Sequence, residues 1–295
     1  MRRRQTILMV GSGDIALRVA RLLKSNYRML GTARRPERHV ALHAAGITPL
    51  SADLDRRHAL RRLAGMSQVV LHLAPPQEQG DTDTRTRHLL AALSAGTRPA
   101  HLVYISTSGV YGDCGGAHVT EARPLHPATA RARRRADAER RIRIWAARNG
   151  VRASILRVPG IYAADRLPLE RLRAGTPAIL PGEDSHTNHI HADDLARVVV
   201  AALRRGRANR IYHASDDSDL KMGDYFDAVA DAYGLPHPPR LLRAQVQAAV
   251  SPALWSFMNE SRRLDNTRMK RELKVRLRYP TVMDGLRAAV PPAQE

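Results

Sequence analysis

The chain has 295 residues, 43% of them hydrophobic, which is enough for one large or two modest domains and excludes a disordered protein. No apolar stretch approaches the length of a membrane span. The formal net charge of +20 comes almost entirely from dispersed arginines that are not interleaved with aromatic residues, so we expect a solvated surface and no specific nucleic-acid partner.

The N-terminus begins with the basic run Met1–Arg4, which a signal peptide would also have. The apolar run behind it ends almost at once at Gly11–Asp14, so it is too short for an export signal. Cys114 is the only cysteine, which excludes internal disulfides and favours a reducing compartment. We therefore expect a cytoplasmic protein that does not associate with membranes.

The first predicted elements are a strand, a tight turn and a helix. Ile7–Val10 is a short apolar run typical of a buried parallel strand. Gly11 permits a sharp turn after it, and Gly13 leaves the backbone open to a pyrophosphate at the helix N-terminus. Ala16 completes a G-x-G-x-x-A pattern, for which an ordinary glycine turn is the alternative. The pattern predicts dinucleotide binding at Gly11, Gly13, Asp14 and Ile15.

The second predicted strand, Tyr27–Thr32, bears on the choice of cofactor. NAD-selective sites usually carry Asp or Glu at the end of this strand, where it binds the ribose 2′-hydroxyl. Arg34 and Arg35 follow the strand instead, and their guanidinium groups suit a 2′-phosphate. The alternative is two more surface arginines in an arginine-rich chain. The position favours NADP, with NAD as the second choice.

Three further strands are predicted at Ile47–Leu54, Gln68–Ala74 and His101–Thr107, and helical stretches such as Arg85–Ala95 separate them. Strands and helices that alternate with short links predict a parallel, doubly wound α/β sheet of the Rossmann type. Residues at the ends of these strands are expected to complete the cofactor site. They are Asp53, Leu54, Leu73, Ala74 and Thr107.

Five later segments, taken in order, carry a family resemblance: Ile105–Asp113, Glu121–Pro127, Leu156–Tyr162, Asn188–Ala196 and Ile211–Asp217. In the same order, they are similar to five motifs of the extended short-chain dehydrogenase/reductases, the NAD-dependent epimerase/dehydratase family. These motifs are the strand-five motif, the acidic loop before the catalytic helix, the strand-six motif, the histidine-aspartate segment and the strand that follows it. The resemblance covers nearly the whole chain.

The resemblance implies a dinucleotide-binding Rossmann domain over residues 1–162, to which residues 189–216 return. A small C-terminal substrate lobe would be formed by residues 163–188 and 217–295, and its sequence does not name a substrate. Pro159 and Ile161, in the strand-six motif, are expected to contact the cofactor. The expected partner is a small-molecule substrate, with a homodimer as an alternative to a monomer.

The family's hydride chemistry uses Ser or Thr, Tyr and Lys, which implies that Thr107 holds the substrate oxygen. With Glu139 as the reference point, Arg131 stands at the Tyr position and Arg135 at the Lys position. Arginine keeps its proton at ordinary pH, so neither can act as a general acid or base. Arg131 can still polarise a carbonyl or bind a carboxylate, and Arg135 can still contact a ribose. The sequence thus resembles the atypical branch that lacks the active-site tyrosine.

Two functions remain open from the sequence. One is an NADP-dependent oxidoreductase or epimerase that acts on a small carbonyl or alcohol. The other is a non-catalytic NADP-binding sensor or interaction protein that has lost the Tyr-Lys proton relay. Thr187 occupies a place where nucleotide-sugar enzymes of the family often have a diphosphate-binding arginine, which weakens the case for a nucleotide-sugar substrate.

Three other features have both a functional and a structural interpretation. The segment His189–Asp194 contains metal-ligand residue types, but the family explains it as a turn that caps the next helix, so we expect no metal. Tyr111 and Tyr162 lie on cleft motifs and could supply the missing proton, although packing is the favoured role. Cys114, near His118 in sequence only, is expected to be an ordinary loop cysteine.

Overall fold

A computed structural model of the chain describes residues 4–23 and 26–290, so Met1–Arg3 of the predicted basic start lie outside the described residues. The strands are, in chain order, β1 Gln5–Val10, β2 Tyr27–Ala33, β3 Ile47–Ser51, β4 Val69–His72, β5 His101–Thr107, β6 His118–Val119, β7 Arg152–Val158, β8 Gly160–Tyr162, β9 Ala178–Ile179, β10 His186–Thr187, β11 His189–His191, β12 Arg210–His213, β13 Leu220–Lys221, β14 Arg240–Leu241 and β15 Arg263–Leu264.

The α-helices are α1 Asp14–Leu23, α2 Arg38–Ala44, α3 Thr84–Ser94, α4 Ala130–Asn149, α5 Leu169–Arg173, α6 Ala192–Arg205, α7 Met222–Tyr233, α8 Arg243–Ala249, α9 Pro252–Met258, α10 Thr267–Leu273 and α11 Val282–Ala289. Short 3₁₀ helices cover Arg57–Leu63, Ser108–Tyr111 and Ala164–Arg166. No helix in the described part of the chain is long and apolar enough to cross a membrane.

Seven strands form one central sheet in the order β12-β7-β5-β4-β1-β2-β3, and every neighbouring pair in it is parallel. The strand order reverses between β1 and β4, where the chain leaves the sheet in opposite directions. In open α/β sheets a crevice forms at this point, outside the carboxyl ends of the strands. The predicted doubly wound Rossmann-type fold is confirmed.

Helices cover both faces of the sheet because its strands are apolar on both sides. Ile7 and Met9 point into the core under α1, α2, α6 and α10. Leu8 and Val10 point into the opposite core, under α3 and α4. This two-residue alternation along a fully buried strand is what a central parallel strand requires.

The segments after residue 162 contribute a third apolar cluster around α7, in which Phe226 and Val229 pack against residues of α8, α9 and α11. This separate cluster supports a substrate lobe, while its exact bounds stay a prediction. The strand-six motif Leu156–Tyr162 is divided at Pro159, so that β7 stays in the sheet and β8 pairs with β11. Helices α8 and α9 are separate, because Ser251 caps a new helix with Pro252 in its first turn.

Candidate functional site

A cavity of about 460 Å³ opens at the carboxyl ends of β1, β2 and β4, at the point where the strand order reverses. Most of the predicted cofactor residues line it. They are Gly11, Gly13, Asp14, Ile15, Arg34, Arg35, Leu54, Leu73 and Ala74. Asp53 lies off its wall, where its carboxylate accepts a hydrogen bond of 3.0 Å from the backbone of Asp55. The contact predicted for Asp53 therefore stays a prediction.

The glycine turn between β1 and α1 is shaped by two different demands. Gly11 has a φ of +90°, and a Cβ added there would lie 2.5 Å from the backbone nitrogen of Ala74. The amide of Gly11 donates to the hydroxyl of Thr32 over 3.0 Å, which fixes the turn against β2. A Cβ on Gly13 would meet no atom within 4 Å. The backbone at Gly13 is thus open toward the cavity, as dinucleotide binding requires.

Arginines dominate the charge of this first cavity. Arg85 holds Asp55 through paired contacts of 2.7 Å, and these hydrogen bonds lower the pKa of the Asp55 carboxyl. Arg34 lies 3.9 Å from the same carboxylate. Arg35 and Arg38 line the cavity without an ion pair to any described residue. Sequence analysis missed Arg38, which is the first residue of α2, four positions after Arg34.

A second cavity, of about 600 Å³, lies between the ends of the sheet strands and the lobe. Of the residues singled out in the sequence, those on its wall are Thr107, Arg131, Pro159, Ile161, Tyr162, Thr187 and His189. The lobe adds apolar side chains that sequence analysis could not assign, namely Met222, Tyr225, Phe226, Leu254 and Phe257. The structure therefore brings the predicted catalytic threonine together with the arginine at the tyrosine position.

Arg166 lines both cavities and was missed from the sequence. It follows β8 in a 3₁₀ turn, and its guanidinium lies 2.8 Å from the carboxylate of Asp14 at the start of α1. Arg18 holds the same carboxylate at 2.8 Å and also pairs with Asp193. The lobe segment and the glycine turn are thus joined by ion pairs at the boundary of the two cavities.

Thr107 and Arg131 reach the second cavity from β5 and from the first turn of α4. The hydroxyl of Thr107 accepts a hydrogen bond of 3.2 Å from the amide of Gly109. The Arg131 guanidinium lies 4.4 Å from the centre of the Phe257 ring. Thr129 is the N-cap of α4, and its hydroxyl accepts a hydrogen bond of 3.1 Å from the Ala132 amide. This cap fixes the first turn of the helix, which carries Arg131.

Arg135 lies between the two cavities rather than on the wall of either. Its Nη1 donates to the carbonyl oxygen of Ile105 over 2.7 Å and to the hydroxyl of Tyr104 over 3.1 Å. These contacts hold the side chain against the end of β5. Its predicted roles at the ribose and in catalysis stay predictions.

Tyr111 and Tyr162 are both buried and hydrogen-bonded within the protein. The Tyr111 hydroxyl donates to Nε2 of His213 over 2.6 Å and accepts from Nη1 of Arg157 over 2.6 Å. Burial raises the pKa of Tyr111 to about 12. The Tyr162 hydroxyl donates to the backbone oxygen of Thr281 over 3.1 Å, and burial raises its pKa as well. These contacts favour the packing role expected for both tyrosines.

The side chains of the His189–Asp194 segment contact different parts of the protein. Nδ1 of His191 accepts from the Asp193 amide over 3.2 Å, and the Asp194 carboxylate accepts from two backbone amides at 2.8 Å. The His189 ring stacks on Tyr225 with 4.1 Å between ring centres, and burial lowers its pKa to about 3. The segment caps α6 and ties down the chain near residue 279, as the helix-capping interpretation implies.

A model of the NAD dependent epimerase/dehydratase family matches residues 11–215, which include the glycine turn, Thr107 and the His189–Asp194 segment. The chain belongs to this family. None of the curated proteins matches the chain closely enough to count as a relative.

Solved structures share the family's fold along almost the whole chain. A functionally unknown conserved protein from Silicibacter pomeroyi is 31% identical, with a TM-score of 0.78 over 97% of this chain and 98% of that one. The UDP-glucuronic acid 4-epimerase from Bacillus cereus, solved with NAD, is 18% identical, with a TM-score of 0.75 over 97% and 95% of the two chains. The dTDP-glucose 4,6-dehydratase DesIV from Streptomyces venezuelae, also solved with NAD, is 22% identical, with a TM-score of 0.77 and coverage of 97% and 95%.

Proposed function

We propose that this family member binds NADP(H) in the first cavity and acts as an oxidoreductase or epimerase on a small carbonyl or alcohol in the second. The observation that carries the proposal is the adjacency of the two cavities, which share Arg166 on their walls. The open backbone at Gly13 fits a diphosphate at the start of α1. NAD in the Bacillus and Streptomyces structures supports a dinucleotide in this fold.

The preference for NADP over NAD rests on charge at the end of β2. Arg34, Arg35 and Arg38 all line the first cavity there. Of these, Arg35 and Arg38 form no ion pair with a described residue, so their guanidinium groups are available to a 2′-phosphate. No acidic residue that would accept from a ribose 2′-hydroxyl stands at the end of β2 or in the two positions after it, which are Arg34 and Arg35.

Thr107 and Arg131 would have different roles toward the substrate. When bound, the dinucleotide supplies the two-electron redox chemistry of its nicotinamide ring. The Thr107 hydroxyl would orient the substrate oxygen, and the Arg131 guanidinium would stabilise negative charge that develops on it. Because arginine does not release its proton, water or another group in the cleft would have to supply the proton.

A non-catalytic NADP(H) sensor is the second candidate, and it is favoured by one observation. The hydroxyls of Tyr111 and Tyr162 are committed to partners inside the protein, and burial raises the pKa of both. Neither tyrosine is therefore suited to replace the missing proton donor. This candidate predicts cofactor binding without turnover.

Titration with NADPH and with NADH tests the cofactor proposal. We expect NADPH to bind more tightly, and Arg34→Ala or Arg35→Ala to weaken it by about 1–3 kcal/mol while NADH changes little. Arg56→Ala is the matched control, because Arg56 is an exposed arginine directly before the 3₁₀ helix Arg57–Leu63 and does not line the cavity. A clear preference for NADH, or no binding of either dinucleotide, would contradict the proposal.

Turnover of a carbonyl panel with NADPH separates the enzyme from the sensor. We expect activity on part of the panel, and a loss of about 10²-fold or more in kcat/KM for Thr107→Ala. Turnover that survives both Thr107→Ala and Arg131→Ala would refute the roles assigned to these residues. Tight NADPH binding with no turnover on any carbonyl would favour the sensor.

A further inference from the structure

Both phenylalanines of the chain line the second cavity, and each carries an arginine on its ring. The Arg131 guanidinium lies 4.4 Å from the ring centre of Phe257, and the Arg171 guanidinium lies 5.1 Å from that of Phe226. Arg131 comes from α4 of the Rossmann domain, whereas Arg171 comes from α5 after the first lobe segment begins. The cavity is therefore flanked by one arginine–aromatic pair from each side.

The other arginines on this wall already have acidic partners. Arg166 pairs with Asp14, and Arg262 pairs with Glu260. Glu260 is the only acidic residue among those that line the cavity. Neither Arg131 nor Arg171 has a side-chain hydrogen bond or ion pair to any residue in 4–23 or 26–290. Arg131 and Arg171 are thus the two arginines on this wall that have no hydrogen-bonded acidic partner among the described residues.

Holding these two charges in the cleft is unfavourable without a negative partner. Desolvation lowers the pKa of both guanidinium groups. Nearby Arg135 lowers the pKa of Arg131 further, and the charge of Glu260 offsets part of that change. Arg131 also lies in the first turn of a 20-residue helix with no acidic residue there, at the positive end of the helix dipole. An aromatic face offsets part of this cost, but it leaves the planar N–H donors free.

We propose that the substrate in the second cavity is an organic anion, whose carboxylate or phosphate is bound by Arg131 and Arg171 and whose apolar part contacts Phe226 and Phe257. Arginine presents its donors in a fork that matches an oxyanion, and two such groups on the wall of one cavity can bind the same anion. This inference rests on the proposed function for its reaction, but the anion site itself is independent of it. In a 2-oxo acid, the carbonyl adjoins the carboxylate, so Arg131 can serve both groups.

Binding of small aromatic anions tests the site directly. The probes are phenylacetate and phenyl phosphate, with neutral phenylacetamide as their control, each titrated by ligand-observed NMR first without NADPH and then with saturating NADPH. We expect both anions to bind and Arg131→Met and Arg171→Met each to weaken them by about tenfold or more. Methionine keeps an apolar side chain against the phenylalanine ring, so folding is expected to be retained.

Two matched variants control for the large positive charge of the protein. Arg133→Met and Arg173→Met each remove one arginine from the same helices, α4 and α5, but these side chains pair with Asp81 and Glu170 outside the cavity. We expect them to change anion affinity by less than about twofold. Equal losses in all four variants would instead show attraction to net charge and overturn the site.

The cofactor titration separates failure of this inference from failure of the proposed function. Displacement of the probes by NADPH would assign the two arginines to the cofactor and overturn the inference. Equal binding of the anions and phenylacetamide would do the same. Anion binding that depends on Arg131 and Arg171 in a protein that fails to bind NADPH would support the anion site and refute only the NADP(H) proposal.

Discussion

At the scale of single residues, Gly11 and Gly13 show how a short motif combines folding with binding. Gly11 is required by the fold, because its φ is positive and Ala74 fills the space of a side chain. Gly13 has ordinary backbone geometry and open space around it, so the fold does not require glycine there. We infer that glycine is needed at position 13 because the diphosphate of the dinucleotide approaches the backbone there.

Alanine substitutions separate these two requirements. Gly11→Ala is expected to lower the free energy of unfolding by about 2 kcal/mol or more, because it combines positive-φ strain with overpacking. Gly13→Ala is expected to change stability by no more than about 0.5 kcal/mol. It should nevertheless weaken NADPH binding at least about tenfold, because the new methyl group occupies the diphosphate's approach. Urea unfolding measures the change in stability, and NADPH titration measures the change in affinity. Unchanged NADPH affinity in Gly13→Ala would contradict diphosphate binding at Gly13.

The residues that sequence analysis found and those it missed differ in how they reach the site. Gly13 and Arg34 lie at ends of strands whose order in a Rossmann fold is fixed, so a local pattern was enough to place them. Arg38 is the first residue of α2, so its place on the cavity wall depends on where that helix begins. Arg166, Arg171 and Phe257 reach the cavities only through the packing of the lobe, and no spacing rule along the chain connects them to the glycine turn.

At the scale of elements, a buried polar network ties the sheet to α4 beneath the second cavity. Ser106 on β5 donates to Glu139 on α4 over 2.6 Å, and Arg157 on β7 lies 2.7 Å from the same carboxylate. Arg157 also donates to Tyr111, which donates to His213 on β12. Alternation along β5 sends Ser106 into this network and Thr107 to the cavity. The position of Thr107 thus depends on the Glu139–Arg157 ion pair, which does not line the second cavity.

Removing members of this network is expected to affect stability more than chemistry. Glu139→Gln leaves the Arg157 charge buried and unpaired, so we expect the free energy of unfolding to fall by about 3–5 kcal/mol. Tyr111→Phe leaves two buried partners unsatisfied and should cost about 1–3 kcal/mol. In active protein, the pH profile of kcat should be the same for Tyr111→Phe and wild type. Loss of a titration step in that profile would identify Tyr111 as the missing proton donor.

At the scale of the whole molecule, stability at acid pH is set by buried histidines. Burial lowers the pKa of His72 and His101 to about 4 and that of His189 and His213 to about 3. An unfolded histidine titrates at about 6.5, so between these values the unfolded chain binds more protons than the folded one. The stability these neutral histidines contribute is present above about pH 6.5 and is lost as the pH falls toward 4.

Asp216 acts in the opposite sense, because burial raises its pKa to about 7. Its contribution favours the folded state at low pH and is lost as the pH rises from about 4 to about 7. Burial also raises the pKa of the Glu121 and Asp184 carboxyls, which act in the same sense as Asp216. The four histidines outweigh these carboxyls, so we expect thermal stability to rise from about pH 5 to about pH 7. Asp216→Asn should steepen that rise. A melting temperature that is flat or falls over this range would contradict the buried, neutral state of the histidines.

One of the chain's two tryptophans lies beside the central sheet, and the other lies in the lobe. Trp145 on α4 is buried against the sheet and donates to Ser94 over 2.8 Å, whereas Trp255 on α9 sits between two residues of the cavity wall, under the Arg243 guanidinium. Indole emission depends on the polarity of its surroundings, so each ring is a built-in optical reporter for a different part of the molecule. Replacing either one with phenylalanine leaves a single emitter. Melting of the sheet and of the lobe can then be timed separately, without any attached dye.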